Sequence, residues 1–124
     1  MSLPCNALRY AAFLVRAIIP EPTMPVIDVA ELAPIRRLIA TARGDTGQSR
    51  RVANFLLAWW NASDCGGFDL TDFWAVDKKI ADDMLATAAF IAGHHDYPDS
   101  YGLREDFEGL VALWRPQLLQ QRMS

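Results

Sequence analysis

A chain of 124 residues with 52% apolar content suits one domain with a real core; it is too hydrophobic for disorder and too short for two comfortable domains. The formal charge of −3 averages two unlike halves: residues 1–62 carry seven arginines and four acids, residues 63–124 five basic residues and eleven acids. The acidic half argues against broad nucleic-acid backbone contact and predicts that the halves attract each other, within a monomer or antiparallel between two.

Residues 1–23 read as an extension or arm helix, with residues 24–124 a single helical domain. In "NALRYAAFLVRAII", Leu8, Ala12, Val15 and Ile19 fall roughly along one side of a helix. "PEPTMP" then breaks it, because three prolines cannot continue a helix. Arg9 and Arg16 interrupt an apolar run that is too short to span a bilayer. Cys5 and Cys65 make no disulfide framework, so a reduced, cytoplasmic setting is expected.

The first core helix is expected from Val29 or Pro34 to Arg43. Asp28 and Glu31 have capping-box spacing, while Pro34 suits a helix start better than an interior. Ile35, Leu38 and Ile39 form its apolar face. "GDTGQS" ends that helix at Gly44 and starts the next, with Thr46 or Ser49 as cap. In "SRRVANFLLAWWNA", Val52, Phe55, Leu56 and Trp59 make a buried stripe, and Leu57 and Trp60 widen it toward a second face. Such a helix is central to a bundle or lies at an interface. "SDCGG" reads as a turn.

Asp69 and Asp77 read as caps, the first for a short "LTDFWAV" helix and the second for "KKIADDMLATAAFIA". In the longer helix Ile80, Met84, Ala88 and Ile91 align, Leu85 and Ala89 extend the face, and Gly93 ends it. A last helix from Leu103 to Trp114 presents Phe107, Leu110, Val111 and Trp114, and Pro116 disrupts the next turn. No segment alternates like a strand. The expectation is an all-α, compact bundle of four or five helices with an N-terminal arm or extra helix.

Four sets of residues are functional candidates. "GHHDYPDSYG" at 93–102 combines His94, His95 and Asp96, which with Cys65 would make a polar cluster if the segments converge. Adjacent histidines at a helix end point apart, however, and a helix joint with a Pro98 turn accounts for most of these residues. The acids Asp64, Asp69, Asp72, Asp77, Asp82 and Asp83 lack the register of a calcium loop. No metal site, cofactor or catalytic residue is assigned, and no phosphate-cradling loop or nucleophile elbow occurs. Arg36, Arg37, Arg43, Arg50 and Arg51 flank the first interhelical turn, as in a DNA-binding helix-turn-helix, yet the helix beyond is too apolar for a recognition helix. Trp60 and Trp74 are the aromatic residues placed at a groove or subunit boundary.

The segments "RRVANFLLAWWNA", "CGGFDLTDFWAVD", "YPDSYG" and "FEGLVALWRP" together resemble a family of small uncharacterised proteins from proteobacteria and their plasmids and integrative elements. The resemblance spans roughly residues 25–117 and leaves residues 1–23 outside it. It implies an accessory role on mobile DNA and assigns no activity. The combined expectation is a non-catalytic accessory or adaptor protein acting through protein contacts, as a homodimer or with another protein. The alternative is a DNA-associated regulator using the arginine-flanked turn.

Overall fold

The computed structural model describes residues 29–123; the expectations for the arm at 1–23 and for the Asp28 cap lie outside the described residues. Five α-helices run in order along them: α1 (Val29–Ala42), α2 (Gly47–Cys65), α3 (Lys78–His94), α4 (Arg104–Trp114) and α5 (Pro116–Met123). Two short 3-10 turns, Leu70–Ala75 and Pro98–Tyr101, lie in the connections on either side of α3. The described residues form an all-α bundle.

α1 is the hub, since it packs against α2, α3 and α4. Leu32, Ile35, Leu38, Ile39 and Ala42 are all buried along it, at helical spacing. The helix is continuous through Pro34, so no separate start is needed there. Pro34 lies in the second turn, where one backbone bond is lost, and burial of Leu32 and Ile35 on either side holds that turn in place.

The connection to α2 is tight. Thr46 is the N-cap, and its Oγ1 accepts from the Ser49 amide at 3.1 Å. Ser49 is itself buried, with its hydroxyl 2.9 Å from that of Thr46. A Cβ at Gly44 would stand 2.6 Å from Ser49 Oγ, so glycine here answers a close approach.

The wide apolar face of α2 is shared out among several neighbours. Val52, Ala53, Leu56 and Leu57 are buried in the core. Phe55 turns instead to the 66–77 segment, meeting Phe68 edge-on at 5.2 Å and Phe73 at 6.4 Å. Trp59 and Trp60 both present edges to Phe107 of α4, at 5.8 and 6.0 Å. The helix does not stop at "SDCGG": Asn61 leaves helical geometry, and its side chain accepts from the Asp64 amide, capping one more turn that ends at Cys65. Gly66, at φ 94° and ψ 161°, then closes it in a conformation that suits glycine.

On α3 the buried residues are Met84, Thr87 and Phe90, with Ile80 and Ile91 partly covered. Thr87, rather than Ala88, therefore completes the stripe, and Leu85 and Ala89 face outward. The buried arc is narrow because α3 rests chiefly on α1. The end of α3 also moves: the helix runs past Gly93 to His94, and His95 takes the left-handed C-cap position at φ 54°. Asp77 stands at the N-cap without capping through its side chain; its amide donates to Gln48 Oε1 at 2.7 Å, tying the start of α3 to α2.

The opposed charges of the two halves meet within the monomer. Arg37 of α1 holds Asp83 of α3 through two hydrogen bonds of 3.0 and 2.8 Å. Arg43 pairs with Asp106 of α4. Arg51 of α2 lies 3.5 Å from Asp72 in the first 3-10 turn. Solvent screens such exposed pairs, so they orient helices more than they hold them together.

Candidate functional site

The segment 93–102 is a structural joint. His94 Nδ1 donates to the Phe90 carbonyl at 2.9 Å, and its ring stacks on Phe90 at 3.9 Å. That fixes Nε2 as the nitrogen turned toward Glu31 of α1, 3.6 Å away. His95 Nε2 donates to the Ala92 carbonyl at 2.9 Å. Both imidazoles thus serve the last carbonyls of α3. The loop beyond is clamped to α2 by two indoles: Trp59 Nε1 donates to the Asp96 carbonyl at 3.2 Å, and Trp60 Nε1 to Asp99 Oδ1 at 2.9 Å. Tyr101 packs edge-on against Phe90 at 5.1 Å. Burial first, and then the charge of Asp96, push its phenol above the ordinary value.

Cys65 lies elsewhere. Its thiol is buried, and its carbonyl accepts from Arg115 Nε at 2.9 Å. Arg115, at the break between α4 and α5, also reaches Asn54 Oδ1 at 2.6 Å and the Trp114 carbonyl at 3.0 Å. Cys65, His94, His95 and Asp96 do not make up a group placed to hold a metal ion. Among the described residues no group of three or more His, Cys, Asp or Glu side chains is placed to hold a metal ion.

Cys65 instead borders a cavity of about 520 Å³ where the end of α2 meets α4 and α5. Trp60, Val111, Leu118 and Leu119 supply apolar walls, and Asp64 and Glu108 supply the acidic groups. Of this set the sequence had singled out Trp60 and Cys65, and had weighed Asp64 only among the acids without calcium-loop register. Leu118 and Leu119 belong to a short helix beyond a proline, and neither their spacing nor their setting separates lining residues from a solvated end.

Trp74 occupies a different surface. It is 86% exposed, and Leu70 on the same 3-10 turn is 72% exposed. The turn that carries them is well held. Asp69 Oδ1 accepts from the Thr71 amide and hydroxyl at 2.9 and 2.8 Å, and these bonds lower the carboxyl's pKa. Behind it, Phe68 and Phe73 meet at 5.3 Å and pack with Phe55.

The arginine set divides. Arg37, Arg43 and Arg51 pair with Asp83, Asp106 and Asp72. Arg36 and Arg50 are exposed and make no ion pair with a described residue. No described helix is long and apolar enough to cross a membrane.

No curated protein and no solved structure matches the chain. A family described as of unknown function, DUF7673, matches residues 32–115, from the first buried leucine of α1 to the arginine that joins α4 to α5. That match takes in the joint, the tryptophan-bearing turn and most of the cavity wall, and the chain belongs to the DUF7673 family.

Proposed function

We propose that the chain is a non-catalytic accessory protein that works by protein contact, self-associating through the surface formed by Leu70 and Trp74. The observation that carries this reading is the 86% exposure of Trp74 on a turn whose other aromatic residues are packed. A turn held by the Asp69 cap and the Phe55, Phe68 and Phe73 cluster presents an indole with little ordering left to do on binding. The setting in this reading is the cytoplasm, where a buried thiol such as Cys65 persists, and the context is the mobile DNA of proteobacteria implied by the sequence resemblance.

Sedimentation equilibrium tests the reading. The wild-type chain should exceed the monomer mass at high concentration, and Trp74→Ala should return it to monomer without moving the urea midpoint. A wild-type chain that stays monomeric throughout would remove self-association. The DNA-associated alternative rests on Arg36 and Arg50; it ranks second because the other three arginines are already engaged with aspartates. Salt-sensitive duplex binding lost in Arg36→Gln, Arg50→Gln would reverse that order.

A further inference from the structure

The cavity of about 520 Å³ where α2 meets α4 and α5 falls within the range that holds a small organic ligand, roughly 300–1,000 Å³. Its wall has two characters. Val111, Leu118 and Leu119 offer aliphatic surface. Trp60 adds an indole whose one donor, Nε1–H, is already given to Asp99. What is left for a ligand is ring surface, which attracts cations as well as apolar groups.

The charged part of the wall has a single sign. Asp64 and Glu108 supply it, and none of the described lining residues is basic. Asp64 accepts from the Asn61 side-chain amide at 3.0 Å and makes no ion pair with a described residue. That amide is neutral, so it orients the carboxylate without cancelling its charge. Glu108 pairs with Arg104 at 2.9 Å, an exposed contact that solvent screens. Arg115 borders this end of α4, but it directs its donors to the Cys65 and Trp114 carbonyls and to Asn54. Negative charge therefore stands uncompensated beside an apolar hollow.

That combination selects the occupant. A bare divalent ion would want more oxygen ligands than two carboxylates and would leave the apolar wall unused. The Trp74 turn of a second copy brings the wrong charge, since residues 69–77 carry three aspartates and no base. We propose that the cavity binds a small organic amine, its apolar body on Leu118, Leu119, Val111 and the Trp60 ring, its ammonium group toward Asp64 and Glu108. The Trp74 turn contributes nothing to this wall, so the site stands or falls independently of self-association.

Titration of the ¹⁵N-labelled full chain, followed by NMR, tests it with three probes. Tryptamine carries an apolar ring and a cation, tryptophol the same ring without charge, and spermidine cationic groups without a ring. Tryptamine should shift the amides of residues 60–65, 108–111 and 118–119, and should bind on the order of tenfold tighter than either of the others. Asp64→Asn with Glu108→Gln should lower tryptamine affinity on the order of tenfold and leave tryptophol binding unchanged. Leu119→Gln should weaken both indoles. Absence of tryptamine shifts at these amides up to millimolar concentration would overturn the proposal, as would shifts confined to other surfaces. Equal binding of spermidine would reduce the site to a solvated acidic surface and overturn it too. Shifts at the same amides that appear on concentrating the unliganded chain would place a second copy there instead.

Discussion

Replacing Trp60 with phenylalanine deletes the donor that holds Asp99 while leaving an aromatic ring against Phe107. A hydrogen bond to a carboxylate contributes about 1.5–3 kcal/mol, and partial exposure of this one reduces it to about 1 kcal/mol. The smaller ring also gives up contact with Phe107, about 1 kcal/mol more, so Trp60→Phe should lose about 2 kcal/mol in urea unfolding. Asp99→Ala removes the same bond from the other side. In a double-mutant cycle the two changes should therefore couple by about 1 kcal/mol, with the double variant less destabilised than the sum. Amides of residues 96–102 should open about fivefold more often in either single variant, the factor equivalent to 1 kcal/mol, with no such change in the first turns of α2. Additivity within about 0.3 kcal/mol would refute the Trp60 clamp, and the joint would then be held by the Trp59 bond to Asp96 and by Pro98 and Tyr101 packing.

The hydroxyl of Thr87 is fully buried with no hydrogen-bond partner among the described residues, so Thr87→Val should stabilise the fold by about 1 kcal/mol and raise Tm by several degrees in calorimetry; a lowered Tm would mean that the hydroxyl is satisfied. Gly44→Ala forces a methyl against Ser49 Oγ and should cost about 1–2 kcal/mol in urea unfolding. That cost should shrink in a Ser49→Ala background, and equal costs in both would reject the close approach as its cause. The Thr71 amide and hydroxyl lower the folded pKa of Asp69, so its contribution is present above the unfolded carboxylate range, around pH 4, and fades as pH falls through the lower folded value. Exchange at residues 70–75 should accelerate only in that acid window, and Asp69→Asn should abolish the acid dependence. Loosening near neutral pH would implicate another group.

Much of the joint is legible in the sequence, because helix ends leave orphan carbonyls and polar side chains near them have a structural task. That His95 rather than Gly93 caps α3 is not legible, since a left-handed histidine competes poorly with glycine on local preference alone. The ring bond to Ala92 and the two indole clamps come from outside that local preference. The cavity is largely invisible for a similar reason. Leu118 and Leu119 acquire their role only when Arg115, anchored to Asn54 and the Cys65 carbonyl, sets the start of α5 against the end of α2.

By itself the sequence determined the helices, the cap at Asp69, a cap for α2 at Thr46 or Ser49, and the stripes along α1, α2 and α4, because periodicity and capping are local properties. The imbalance of its halves also predicted that opposite charges attract, within a monomer or between two. Tertiary structure alone decided which aspartate each arginine takes, that α1 is the hub, and that Trp60 is engaged while Trp74 is displayed. An amphipathic stripe states which side of a helix seeks cover; only the packed neighbours determine how much cover it receives.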